Sequence, residues 1–311
     1  MVDNHSGYQL PWSHFVALGR QIGPNGIYQG IHHQRWGMKD QTELLYLDDA
    51  SLQELSTTVL SCRPVSQLAE HEQNLAKTLA SESFAVTTRQ TVFYPQGGGQ
   101  PSDTGLITLA DHSDTDNAFA FKVLLVRKTP DGTVLHMGEF TAGDAHPSFA
   151  EGQLVSQNID FVKRDYHSRL HTAGHIIGLA MRLLSSVLGE RKKVKANHMP
   201  GQACMEFEGL LYNEHKPVIE EKVNELIQMK LPIMTSWWEE SQVQKASLNM
   251  VEGLQLGKNG LVRIAEIGNI DANPCGGTHV AHTGLTGPIT IRKIARQKGV
   301  TKLSYEVPVS M

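Results

Sequence analysis

Two short pairs hold the residues best suited to chemistry: His171-Thr172-Ala173-Gly174-His175 and Cys275-Gly276-Gly277-Thr278-His279. Each sets two good zinc ligands four positions apart. On a helix, positions i and i+4 share one face, so His171 and His175 can grip one ion together. The second pair sits in a Pro- and Gly-rich stretch, Asn273-Pro274-Cys275-Gly276-Gly277, where a turn shapes it. Imidazole and thiolate suit zinc, which usually takes four such ligands in a tetrahedron. The expected metal set is therefore His171, His175, Cys275 and His279 around one Zn2+ ion, assembled by the fold because the pairs lie far apart. Thr172, not Glu, follows His171, so the general base of a helical zinc protease is missing.

A third candidate is Phe93-Tyr94-Pro95-Gln96-Gly97-Gly98-Gly99-Gln100-Pro101-Ser102-Asp103-Thr104-Gly105. Three consecutive glycines let backbone approach another surface and present N–H groups to an anion. No Gly-Lys-Ser/Thr follows, so the segment is not a P-loop. Taken alone, a hairpin turn is the simpler reading.

The elements that must position these residues change character along the chain. Residues 1–41 read as an extension, 42–150 as a β-barrel domain, and 151–311 as a zinc-binding domain. Strands are expected over Glu43–Asp49, Leu52–Arg63, Phe84–Thr88, Thr91–Tyr94, Gly105–Leu109, Ala118–Lys128 and Thr133–Met137. Many short strands with turn signals between them point to a small barrel. Gly143, Pro147 and Gly152 mark its expected end. Beyond it a strand over Leu154–Phe161 precedes a long helix over Asp165–Leu188. There Leu170, Ala173, Ile177, Ala180, Met181, Leu184 and Leu188 recur at helical spacing, and Gly189 stands at the C-cap. His171 and His175 border this apolar stripe. A second helix is expected over Lys216–Met229, with Pro217 in its first turn. Strands are expected over Met205–Phe207, Ile233–Trp238, Leu261–Ile267 and Gly287–Ile294. The fold class is α+β.

The 311 residues suit one large or two ordinary domains. A hydrophobic content of 40% supports real cores, and 19% charged residues exclude a mostly disordered chain. A net charge of −4 means that any nucleic-acid contact must use a local patch. The odd, sparse cysteines (Cys62, Cys204, Cys275) argue against a disulfide framework and for a reducing compartment. No apolar run is long enough to cross a bilayer, so no membrane partner is expected. The first 39 residues carry Arg20, Arg35 and Lys39 but only Asp3 as an acid, which partly resembles a mitochondrial presequence. Their Pro- and Gly-broken pattern favours a flexible extension or an imperfect gene model, with a cytoplasmic protein as the expectation.

Three segments together resemble one family. Tyr94 to Asp103, His171 to His175 and Cys275 to Val280 are similar to the signature of the alanyl-tRNA synthetase editing domain. The likeness is closest to its free-standing relatives, the AlaX trans-editing proteins of the longer, glycine-rich type. It runs from about Thr42 to the C-terminus, with no visible counterpart of the aminoacylation domain. It implies a β-barrel followed by an α+β editing domain with zinc in its cleft. It also implies hydrolysis of wrongly charged tRNA for alanine, chiefly the seryl and also the glycyl ester.

The resemblance implies roles residue by residue. Thr172, His171 and His175 form the expected catalytic set. Gly97, Gly98, Gly99, Gln100, Asp103, His198, Gln202, Gly276, Gly277, Thr278, Arg292 and Lys293 form the expected substrate and tRNA surface. A Gln-x-Gly-Ser stretch common in synthetase editing domains is replaced here by Asn197-His198-Met199-Pro200-Gly201-Gln202-Ala203, which leaves the amino-acid pocket open. Thr172 and Thr278 are candidates to read a seryl hydroxyl. Two basic clusters, Arg191/Lys192/Lys193/Lys195 and Arg292/Lys293/Arg296/Lys298/Lys302, are candidates for phosphate contact. The partner implied is tRNA for alanine carrying a wrong amino acid; the sequence leaves the oligomeric state open. Other readings are a zinc-stapled tRNA-binding module without hydrolysis, a small-molecule metal hydrolase, and threonyl-type editing.

Overall fold

The computed structural model describes residues 41–110, 120–141, 148–246, 257 and 260–309. The expected extension, except Gln41, lies outside them, as do Gly143 and Pro147. The chain from Asp40 onward forms one compact unit.

Its elements are β1 (Glu43–Leu44), β2 (Glu54–Pro64), α1 (Glu70–Gln73), β3 (Phe84–Thr88), β4 (Gln90–Thr91), β5 (Gly105–Leu109), β6 (Ala120–Lys128), β7 (Val134–Phe140) and β8 (Leu154–Ile159). There follow α2 (Phe161–Leu183), α3 (Ser185–Leu188), β9 (Lys193–Asn197), β10 (Cys204–Glu208), α4 (Lys216–Gln228), β11 (Ile233–Trp238), α5 (Glu240–Lys245), β12 (Val262–Ile267), β13 (Asp271–Pro274), β14 (Thr290–Gln297) and β15 (Val300–Glu306).

Six strands close into an antiparallel barrel in the order β2-β3-β7-β6-β5-β8. Closure pairs every strand on both sides, which removes exposed sheet edges. Inward positions such as Val59, Val86, Ile107, Phe121, Val123 and Val155 make one apolar cluster. Because β8 is a barrel strand, the barrel runs past residue 150, where the sequence reading ended it. A polar plug sits among the apolar side chains. His136 donates from Nδ1 to the Val86 carbonyl at 2.9 Å and faces Thr91 Oγ1 at 2.7 Å through Nε2. Gln157 closes the set, donating to Thr88 Oγ1 at 3.0 Å.

The second half packs α2 and α4 on the sheet β14-β15-β10-β9. Its core is the predicted helical stripe: Leu170, Ala173, Ile177, Ala180, Met181, Leu184 and Leu188 are all buried there. Met205, Phe207, Leu303 and Tyr305 meet that stripe from the sheet. A three-stranded sheet β11-β12-β13 carries the segment that leads to the second ligand pair.

Four expectations change. Glu43–Asp49 is not a strand beyond Leu44; a 3-10 turn over Leu45–Leu47 buries Tyr46 edge-on against Tyr94, ring centroids 5.3 Å apart. The expected strand Thr91–Tyr94 stops at Thr91. The next N–H groups find side-chain acceptors instead: Val92 donates to Gln157 (3.0 Å), Phe93 to Thr91 (3.0 Å) and Tyr94 to Asp103 (2.6 Å). Helix α2 starts at Phe161 rather than Asp165, because Asp160 caps it, accepting from the Lys163 N–H at 3.2 Å. The last expected strand is shifted to Thr290–Gln297 and pairs with β15, which had not been anticipated.

Candidate metal centre

Helix α2 carries His171 and His175 one turn apart, and the loop after β13 brings Cys275 and His279 to them. One ligand atom from each of the four residues lies within 4.8 Å of every other. Cys275 Sγ is 3.4 Å from His171 Nε2, a separation suited to two ligands of one tetrahedral ion. The ring of His171 lies 4.6 Å from that of His279 and 5.1 Å from that of His175. His171 and Cys275 are buried, while His175 and His279 are half-buried.

Two observations fit this set to a metal. His279 Nε2 is buried with no hydrogen-bond partner, which is costly unless a ligand takes its lone pair. Burial, reinforced by neighbouring histidines and, for His279, first by Arg263, pulls His171 and His175 well below the usual imidazole range and His279 down to about 3. These rings are therefore neutral at physiological pH, the form that ligates. Burial pushes the Cys275 thiol up, opposed by the Gly277 N–H and by Arg263.

The loop owes its shape to Arg263 on β12, only 4% exposed. Its guanidinium donates to the carbonyls of Cys275 and Gly277, both at 2.9 Å, and to Leu47 at 3.0 Å. The sequence reading missed this residue; the signal was a lone cation inside the apolar run Leu261–Ile267. Gly277 is needed by contact: a Cβ there would lie 2.0 Å from His171 Cε1.

The glycine-rich segment is a tight hairpin turn, as its residues alone suggested. Gly97 and Gln100 exchange backbone hydrogen bonds around Gly98 (φ 55°) and Gly99 (φ 84°). Gly97 and Gly98 are exposed, whereas Gly99 presses on β9, where a Cβ would lie 2.7 Å from the Ala196 carbonyl oxygen. Gln100 is 0% exposed and reaches the ligand set: its amide oxygen is 2.7 Å from His171 Nδ1.

Several expected substrate residues are placed otherwise. Asp103 is buried and not free for substrate; its carboxylate is paired with Arg164 of α2 and also accepts the Tyr94 N–H. Thr172 and Thr278 do not present hydroxyls to a cleft, since both are 0% exposed. Thr172 Oγ1 stands 3.4 Å from His279 Nδ1 and accepts from the Val280 N–H, so it braces a ligand. Thr278 bonds Gln100 and Ser168. His198, expected on the substrate and tRNA surface, lies beside the ligand set. It is buried, stacked on His171 at 4.5 Å between ring centroids, with Nδ1 2.6 Å from the Tyr305 hydroxyl. Burial lowers it to about 3. Tyr305 gives its own proton to the Leu170 carbonyl, so His198 must donate from Nδ1 and keep its lone pair on Nε2. Gln202 and Lys293 are exposed, Gly276 is half-buried, and Arg292 donates to Gly201 at 2.9 Å. Of the two basic clusters, Lys193 and Lys195 lie on β9 and Arg292, Lys293 and Arg296 on β14, the outer strands of one sheet. Arg191 and Lys192 precede β9, Lys298 follows β14, and Lys302 is on the inner strand β15.

Two families match. Residues 262–303 match the "Threonyl and Alanyl tRNA synthetase second additional domain", and residues 30–162 match "tRNA synthetases class II (A)". The alanine–tRNA ligase of Halobacterium salinarum is 31% identical over 272 residues, covering 85% of this chain and 26% of that protein. That of Methanosphaera stadtmanae is 30% identical over 230 residues, covering 73% and 24%. That of Korarchaeum cryptofilum is 33% identical over 229 residues, covering 71% and 23%. The chain belongs to the alanyl-tRNA synthetase editing-domain family. It spans about a quarter of the length of these relatives. The second-additional-domain match takes in Arg263, Cys275 and His279 with the strands on either side, and the class II match takes in the barrel with its glycine turn. His171 and His175 lie outside both matched ranges, and the fold joins them to the family's part of the site.

Proposed function

We propose that this protein is a hydrolase that deacylates mischarged tRNA for alanine, acting in trans on the seryl and also the glycyl ester. The observation that carries the reading is the convergence of His171, His175, Cys275 and His279 beside the glycine turn, in a chain related to alanine–tRNA ligases. Zinc held by these four residues would supply a Lewis acid that polarises an ester carbonyl.

The chain's own groups do the rest. An aminoacyl ester is labile, so positioning contributes much of the acceleration. His198 offers an acceptor nitrogen at the histidine cluster, where a donor such as the substrate's amino or hydroxyl group can be held. Gly97 and Gly98, exposed and without side chains, leave room for the terminal ribose to approach. Exposed Lys193, Lys195, Lys293 and Arg296 take phosphate contacts. The compartment implied is one where tRNA is charged, with the cytoplasm preferred.

The test is deacylation of tRNA for alanine charged with serine, glycine or alanine. Rapid loss of the seryl ester with the alanyl ester spared supports the reading. Binding of all three without hydrolysis replaces it with a tRNA-binding module.

A further inference from the structure

We propose that Gln100 is a positioning residue of the metal centre, holding His171 with its Nε2 lone pair toward the other three donors. This rests on the reading that the cluster holds zinc. Gln100 comes from the barrel's glycine turn, yet it bonds to both halves of the ligand set. Its amide oxygen accepts from the Thr278 N–H at 3.1 Å and faces His171 Nδ1 at 2.7 Å. Its amide nitrogen donates to Thr278 Oγ1 at 2.8 Å.

The orientation of that amide follows from chemistry. A backbone N–H can only donate, so the Gln100 atom facing Thr278 N must be oxygen. An oxygen that only accepts requires a proton on His171 Nδ1. The lone pair is then on Nε2, which points at Cys275 Sγ 3.4 Å away. The opposite tautomer would set two lone pairs against each other at 2.7 Å. Thr278 Oγ1, which accepts from Gln100, also shares a hydrogen bond with Ser168 Oγ at 2.7 Å, which anchors the chain of bonds in α2. Gly277 leaves the space, since a Cβ there would lie 2.8 Å from the Gln100 amide oxygen. With its oxygen taken twice and its nitrogen bonded, the Gln100 amide is committed to the ligand set rather than to substrate. The glycine turn thus serves to deliver this amide behind the metal ligand.

Losing a partner behind a metal-bound histidine typically costs about 10–100-fold in metal affinity. The experiment is zinc competition against a chromophoric chelator, using wild type, Gln100→Leu and Gln100→Glu, each checked for fold by circular dichroism. Gln100→Leu is expected to lose affinity by about 10–100-fold. Gln100→Glu still accepts from His171 Nδ1 and is expected to stay near wild type. A mere packing role predicts the opposite order, because leucine tolerates burial better than a carboxylate. Zinc binding by wild type with Gln100→Leu unchanged, or with Gln100→Glu the weaker variant, overturns this proposal alone. No zinc binding by wild type overturns the metal reading and this proposal with it.

Discussion

At the scale of single residues, the site is built as much by missing side chains as by present ones. Gly277 admits the His171 ring, and Gly174 admits His198, whose Cε1 a Cβ would meet at 2.3 Å. Gly277→Ala should therefore push the His171 ring aside and lower zinc affinity by more than the roughly 10–100-fold that loss of a partner behind a ligand costs, read by chelator competition. The paired spacing of His171/His175 and Cys275/His279 was readable in the sequence, because ligand chemistry needs those residue types and little else. The roles of Thr172, Thr278 and Asp103 were not. A buried hydroxyl or carboxylate is written with the same letter as an exposed one, and only the fold shows that Arg164 already occupies Asp103.

At the scale of elements, helix α2 is the spine of the site, and its first turn is tied to the barrel by the buried Arg164–Asp103 pair. Arg164 also donates to the Ala50 and Val92 carbonyls at 3.0 and 2.6 Å. Asp103→Asn leaves that guanidinium buried without its counter-charge. Such a loss costs about 3–5 kcal/mol, to be read by urea unfolding. The barrel carries a pH dependence of its own. Burial lowers His136 to about 4, below its ordinary 6.5. Between pH 6.5 and 4 the unfolded chain therefore binds a proton that the native state refuses, so stability falls as pH falls through that window. The His136 share is about 3 kcal/mol, and His136→Gln should remove that share while His171, His175, His198 and His279 keep theirs. Apolar periodicity made α2, α4 and most barrel strands legible. It failed where side chains replaced the ladder, as at Val92 to Tyr94, and where a strand is mostly charged or polar, as at Lys193 to Asn197. It also placed Leu154–Ile159 after the barrel, because alternation marks a strand without naming its neighbours.

At the scale of the whole molecule, barrel and metal-bearing half form one compact unit, with Gln100 and Asp103 from one half bonded into the other. Lys193 and Lys195 on β9 and Lys293 and Arg296 on β14 are exposed, so an overall charge of −4 still leaves local basic patches. Binding to tRNA should weaken steeply with salt. Lys193→Ala with Lys195→Ala should lower the slope of log affinity against log salt by roughly 1–2 units, measured by filter binding. If the His/Cys cluster belongs to an aminoacyl-ester hydrolase, losing one ligand must abolish that activity. The most direct test is the decay of seryl-tRNA for alanine under single-turnover conditions, with wild type and with Cys275→Ala at known zinc content. Wild type is expected to remove the seryl ester fast and Cys275→Ala to leave its decay at the uncatalysed rate, with the alanyl ester stable in both. Equal hydrolysis by the two proteins, or none by zinc-loaded wild type that still binds the tRNA, would contradict that assignment.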